Sequence, residues 1–85
     1  MVRSKKNGDG KVISRLNILV AEKESREGRR ITQREIVAAT GLNPNTVSRW
    51  MSPEPIEQFT SKTVVPLCRF LECQIGDLLH IDYQF

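Results

Sequence analysis

Eighty-five residues leave room for one small domain and exclude a pair of hydrophobic cores. Hydrophobic residues at 39% and charged residues at 27%, with only five Gly and four Pro, fit a folded soluble chain better than an intrinsically disordered one. The net charge of +3 is split, since residues 1–51 carry eleven Lys/Arg against five Asp/Glu and residues 52–85 carry two against five, a +6 half ahead of a −3 half. Such a positive half draws polyanions, nucleic acid first and an anionic membrane surface second.

Other classes fall to local patterns. The longest apolar run, Ile18 to Ala21, is far short of the roughly 20 residues a bilayer requires, and the N-terminus lacks an apolar signal region, so a cytoplasmic protein without a membrane role is expected. Cys68 and Cys73, if both are helical, point about 140° apart and do not bond each other. With His80 alone and no C-x-x-C spacing there is no zinc site, and no metal, cofactor or small-molecule ligand is expected. His80 has no nucleophile or orienting group in its sequence context, so it reads as a surface residue and the chain as a non-enzyme.

Residues 1–10 hold Arg3, Lys5 and Lys6, two glycines and one apolar residue after Met1, and read as a flexible basic arm that could follow a DNA groove. The main domain is expected over 11–80. Val12, Ile13, Leu16, Leu19 and Val20 share one helical face, which predicts a first helix over about 11–26, ended by Gly28. Ile18 lies off that stripe.

Thr32-Gln33-Arg34-Glu35 has capping-box spacing, which predicts a short helix running through Ile36, Val37 and Ala39 to a stop at Gly41. Asn43-Pro44 is a second start signal, with Asn as the cap and Pro in the first helical position. The next helix, Pro44 to about Met51, divides into an apolar face of Val47, Trp50 and Met51 and a polar face of Asn45, Ser48 and Arg49. Residues 51–60 hold two prolines and no helical period, so an ordered loop follows. Val64, Leu67, Cys68 and Leu71 form the stripe of a fourth helix, and a start near Thr63 keeps Pro66 in its first turn. Residues 75–79 read as a last single-turn helix. Residues 81–85 form a tail in which Ile81, Tyr83 and Phe85 alternate with polar residues, a candidate strand whose partner is the same segment of a second subunit.

Two short helices joined by a glycine-containing turn, with polar residues displayed on the second, have the layout of a helix-turn-helix that sets its second helix into the major groove. Arg49 can donate twice to guanine O6 and N7, and Asn45 can pair with adenine N6 and N7. Ser48 and Thr46 are short donors, Ser48 toward a base and Thr46 toward a phosphate. Gln33 and Thr32, at the start of the preceding helix, are placed to hold a phosphate with the free amides there. Arg30 and Lys62 are further phosphate contacts.

The segment from Ile31 through Trp50, ITQREIVAATGLNPNTVSRW, resembles the helix-turn-helix of the Cro/phage-repressor family of bacterial regulators. Residues 64–79, with Pro-Leu-Cys-Arg-Phe-Leu-Glu-Cys-Gln-Ile-Gly-Asp-Leu-Leu, are similar to the last two helices of a small single-domain branch of that family. The resemblance covers about residues 12–80. It implies an all-α, five-helix fold and operator binding, often by a two-fold dimer, with Gln33 at a phosphate-contacting position and Asn43, Pro44, Asn45, Ser48 and Arg49 at DNA-contacting ones. Val37 departs from the family's usual Ala, Pro44 cannot donate a side-chain hydrogen bond, and the loops at 26–31 and 51–61 are longer than typical.

The resulting expectation is a sequence-specific regulator of transcription, a repressor that binds double-stranded DNA as a homodimer through Ile81, Tyr83 and Phe85. The alternative is an antitoxin-like protein-interaction module, which Ile18, Phe70 and the C-terminal strand motivate.

Overall fold

Two β-branched residues in a row decide how the described chain, residues 10–83 of a computed structural model, begins. Val12 and Ile13 lie in a strand, β1 (Gly10–Ser14), antiparallel to β2 (Leu79–Tyr83), with Val12 opposite Ile81 and Ile13 opposite His80. The expected helix start at residue 11 is therefore corrected. β-branched side chains lose rotamer freedom in a helix and fit a pleated ladder, and here the C-terminal residues supply the ladder. The strand expected at the C-terminus exists and begins at Leu79, but its partner is β1 of the same chain. Among the described residues, five helices and this two-stranded sheet make the fold mostly helical, not all-α.

Ser14 ends the strand. Its buried hydroxyl accepts from the Leu16 N–H at 3.1 Å, and the Arg15 N–H donates to the Leu78 carbonyl at 2.7 Å, which ties the start of α1 (Leu16–Glu27) to the last helix. Helix α2 (Gln33–Thr40) is capped as expected on one side, with the Glu35 N–H donating to Thr32 Oγ1 at 3.1 Å. The reciprocal half of the capping box is absent, because the Glu35 carboxylate is engaged with Arg29 at 2.8 Å. A guanidinium is a stronger partner for a carboxylate than a neutral amide.

Gly41 ends α2 at φ +75°, and Leu42 and Asn43 complete a three-residue turn into α3 (Pro44–Met51). An added Cβ at Gly41 would meet nothing within 4 Å, so the cost of a side chain there is conformational alone. Gly41→Ala is expected to lower stability by about 1–2 kcal/mol, read as a shift in the urea midpoint at unchanged slope.

Helix α4 (Ser61–Leu71) starts two residues before Thr63, and Pro66 sits in its second turn. The early start follows from Thr60, whose extended backbone turns the chain and whose carbonyl accepts from the Thr63 and Val64 N–H groups at 3.0 Å. Pro66 has no N–H for the Lys62 carbonyl, and burial of Val64, Leu67 and Leu71 on the same helix offsets the loss, at roughly 1.5–3 kcal/mol per side chain.

Glu72 ends α4 in the left-handed conformation (φ 57°), and the Cys73 N–H reaches back to the Cys68 carbonyl at 3.0 Å while the Glu72 N–H reaches Arg69. This is a Schellman closure, which brings residues 68 and 73 together. The expected 140° separation of the two cysteines is thus corrected, since Cys73 lies beyond the helix end. Both thiols are free and they contact each other; burial, helped by Cys68, pushes the Cys73 thiol up to about 11.

The short α5 (Ile75–Leu78) closes a core built from Leu16 and Val20 of α1, Ile36 of α2, Val47 and Trp50 of α3, Val64, Leu67 and Leu71 of α4, and Leu78. Two loop residues, Ile31 and Ile56, complete it. The 52–60 loop is ordered by more than Ile56 burial: the Ile56 N–H donates to the Val12 carbonyl at 2.7 Å and Pro55 bridges Ile13.

Candidate nucleic-acid interface

Helix α3 is anchored by one face and displays the other. Val47 and Trp50 are buried, at 0% and 2% exposure, and Met51 packs beside them. Pro44, Asn45, Ser48 and Arg49 are exposed, whereas Thr46 is half-buried. One turn separates Asn45 from Arg49, with Ser48 alongside, so amide, hydroxyl and guanidinium share a surface about one base-pair step or two in length. The helix start is built locally: Asn43 Oδ1 accepts from the Asn45 N–H at 2.7 Å and Pro44 fills the first position.

Helix α2, which packs on α3 and α4, presents Gln33 at its first position, with Thr32 and Arg30 exposed just ahead of it. Thr32 Oγ1 already accepts from Glu35, so the hydroxyl has only its proton to offer a phosphate. Lys62 is exposed in the first turn of α4, beyond the 52–60 loop. Ile81 and Tyr83 are exposed on β2, on the sheet and not on the helix pair. Arg3, Lys5, Lys6 and Phe85 lie outside the described residues.

Three features of this surface were not legible in the sequence. A chain of ion pairs runs Lys23–Glu27–Arg29–Glu35 and joins the end of α1 to the start of α2. Hydrogen bonding to Arg29 holds the Glu35 carboxyl below its usual value, and Glu35 in turn raises the Arg29 guanidinium. The pair cancels a negative charge at the start of α2 that would meet a phosphate, so Arg29 acts as a neutralising partner. Arg34, in contrast, is exposed in the first turn of α2 and forms no ion pair with a described residue, which adds a cation beside Gln33. Its position next to Gln33 after the Thr32 cap was the available signal. The third feature is acidic: Arg49 lines a shallow groove with Glu54 and Glu57 of the following loop. Only the fold of that loop places those carboxylates there.

A family model for the Cro/C1-type HTH DNA-binding domain matches residues 23–83, which takes in α2, the turn, α3, α4, α5 and β2. The chain belongs to that family. No curated protein and no solved structure gave a significant match.

As a Cro/C1-type domain the chain binds DNA and is a regulator of a non-enzymatic kind. Its partner is double-stranded DNA. Among the described residues no helix is long and apolar enough to cross a membrane. The family match begins inside α1, so β1 lies ahead of it.

Proposed function

We propose that the chain represses transcription by occupying an operator, with α3 set into the major groove. Asn45 and Arg49 read base edges, Ser48 and the exposed ring of Pro44 touch neighbouring bases, and Gln33, Thr32, Asn43, Thr46, Arg30 and Lys62 hold the phosphates. The observation that carries this reading is the division of α3, in which a buried indole fixes the helix while an amide and a guanidinium one turn apart face solvent.

The roles follow from chemistry. Arg and Asn each offer a pair of hydrogen-bonding groups matched to a purine edge in the major groove. Cations and helix-start amides recognise phosphate and set the register without reading sequence. Glu54 and Glu57, which line a groove with Arg49, disfavour a phosphate near it. One such helix spans few base pairs, so the protein acts as a two-fold dimer on half-sites about 34 Å apart.

The experiment is selection of bound sequences from a random duplex pool at near-physiological salt, followed by titration of the winner. A preferred site with two-fold symmetry is expected, and recovery of no preferred sequence would sink the reading. On that site the logarithm of affinity should fall linearly with log salt, at a slope of about −0.9 per phosphate neutralised. Replacing Lys62 or Arg34 by Ala should each make that slope shallower by roughly one.

A further inference from the structure

The end of α4 brings together two nucleophilic side chains that operator binding does not use. Helical spacing would set Cys68 and Cys73 about 140° apart, but α4 stops at Leu71 and Glu72 turns the chain back at φ 57°. In this closure the Cys73 N–H donates to the Cys68 carbonyl and the Glu72 N–H to that of Arg69, at 3.0 and 3.3 Å. The two residues joined by the outer hydrogen bond of a Schellman closure commonly touch through their side chains, and the contact is usually apolar. Here both are thiols, and they are the only cysteines in the chain.

The geometry meets what a sulfur–sulfur bond requires. A 3.0 Å hydrogen bond from the amide of one residue to the carbonyl of the other keeps their Cα atoms within about 7 Å, the limit for bridging without backbone movement. The side chains face each other, since the two thiols are hydrogen-bonded. Among the described residues no cluster of three His, Cys, Asp or Glu could hold a metal ion, so the pair is not part of a larger ligand set.

Reagents can reach the pair. Both residues are half-buried and line an open groove of about 740 Å³ between the end of the 52–60 loop, α4 and the start of α5. Phe59, Val65 and Ile75, each roughly half-exposed, form its apolar rim. Phe59 in turn stands edge-on to Trp50 of α3, ring centroids 6.4 Å apart at 79°.

We infer that Cys68 and Cys73 form a reversible intramolecular disulfide when the protein meets a low-molecular-weight disulfide, and that the bond staples the end of α4 to the segment entering α5. The thiolate of Cys68 attacks one sulfur of the reagent, and the other half of the reagent leaves as a thiolate. Cys73 then attacks the Cys68 sulfur and expels the second half. The two protein thiols are oxidised by two electrons, the reagent is reduced to two thiols, and those thiols take up the protons the cysteines lose. The order follows from the surroundings: burial, helped by Cys68, holds the Cys73 thiol protonated, at about 11, so Cys73 acts second, once its target is fixed beside it.

Two backbone hydrogen bonds have already closed this short loop in the folded chain, whereas the unfolded chain has to close it at a cost in entropy. The bond therefore forms more favourably in the folded protein and, by linkage, stabilises it. Nothing in this chemistry depends on operator binding.

The test equilibrates the full chain with mixtures of reduced and oxidised glutathione, with and without denaturing urea, and reads the products by mass after acid quenching. Expected is a single species lighter than the reduced protein by two hydrogens, with an equilibrium constant roughly 10-fold or more larger in the folded chain than in urea. Cys73→Ser should stop at a glutathione adduct on Cys68, and Cys68→Ser should leave Cys73 unmodified. Oxidised wild type should show a higher urea midpoint, lost on adding dithiothreitol. Glu72→Gly, which keeps the left-handed turn, should retain the preference for the bond, and Glu72→Val, whose branched side chain disfavours that turn, should lower it. A disulfide linking two chains, adducts on both cysteines of the wild type, an equilibrium constant no larger in the folded chain, or a midpoint lowered by oxidation would each overturn the inference.

Discussion

Arg49→Ala is expected to flatten the preference at one base pair while leaving the rest of the recognised sequence in place. A bidentate contact to a base edge is worth about 1–3 kcal/mol of discrimination, which is roughly 5- to 150-fold between the preferred base and its competitors. The side chain is exposed at the end of the polar face of α3, and no described residue holds it in an ion pair, so its removal leaves the fold unchanged. Gln33→Ala is the matched control. On the proposed reading, Gln33 at the first position of α2 meets the backbone and not the bases, so its loss should weaken all duplexes alike. Binding measured on a panel of single-base variants of the operator distinguishes the two. Uniform loss for Arg49→Ala would remove it from the base-reading set and move it among the phosphate contacts.

The second large effect lies on the opposite side of the same helix. Trp50 is 2% exposed and belongs to the core cluster that joins α1, α2 and α4 to α3. Trp50→Ala should cost about 3–5 kcal/mol, the range for emptying a buried aromatic site. A domain of this length has only roughly 4–13 kcal/mol in total, so the variant loses about a quarter or more of its stability. Urea unfolding followed by circular dichroism reads the change. Trp50→Phe keeps an aromatic ring against Phe59 and should recover most of it. A Trp50→Ala protein as stable as wild type would show that α3 is held by something other than its indole face.

These two substitutions also mark where the sequence was readable. The start of α3 at Asn43-Pro44, the stop of α2 at Gly41 and the division of α3 into two faces were all expected and all occur, because each depends on a backbone rule spanning at most one turn. The same locality explains the failures. Val12 and Ile13 satisfied a helical stripe with Leu16, yet a strand nearly 70 residues away in sequence offered their backbone a ladder. Glu35 had the spacing of a capping box, but Arg29, brought near by the turn after α1, competed for its carboxylate. The 140° divergence of Cys68 and Cys73 supposed both to be helical, but the helix ends two residues before Cys73, and the closure at Glu72 brings the two residues together.

The helix pair and the chemical identity of its displayed face therefore follow from local rules, since caps, left-handed glycines and 3.6-residue periodicity act within single elements. The tertiary structure alone decided which cations remain available to DNA, where the acidic loop stands beside Arg49, and that three exposed apolar side chains gather over α4 and α5. Those outcomes depend on which distant groups arrive first at a given charge or backbone edge. Competition of that kind is settled only when the whole chain has packed.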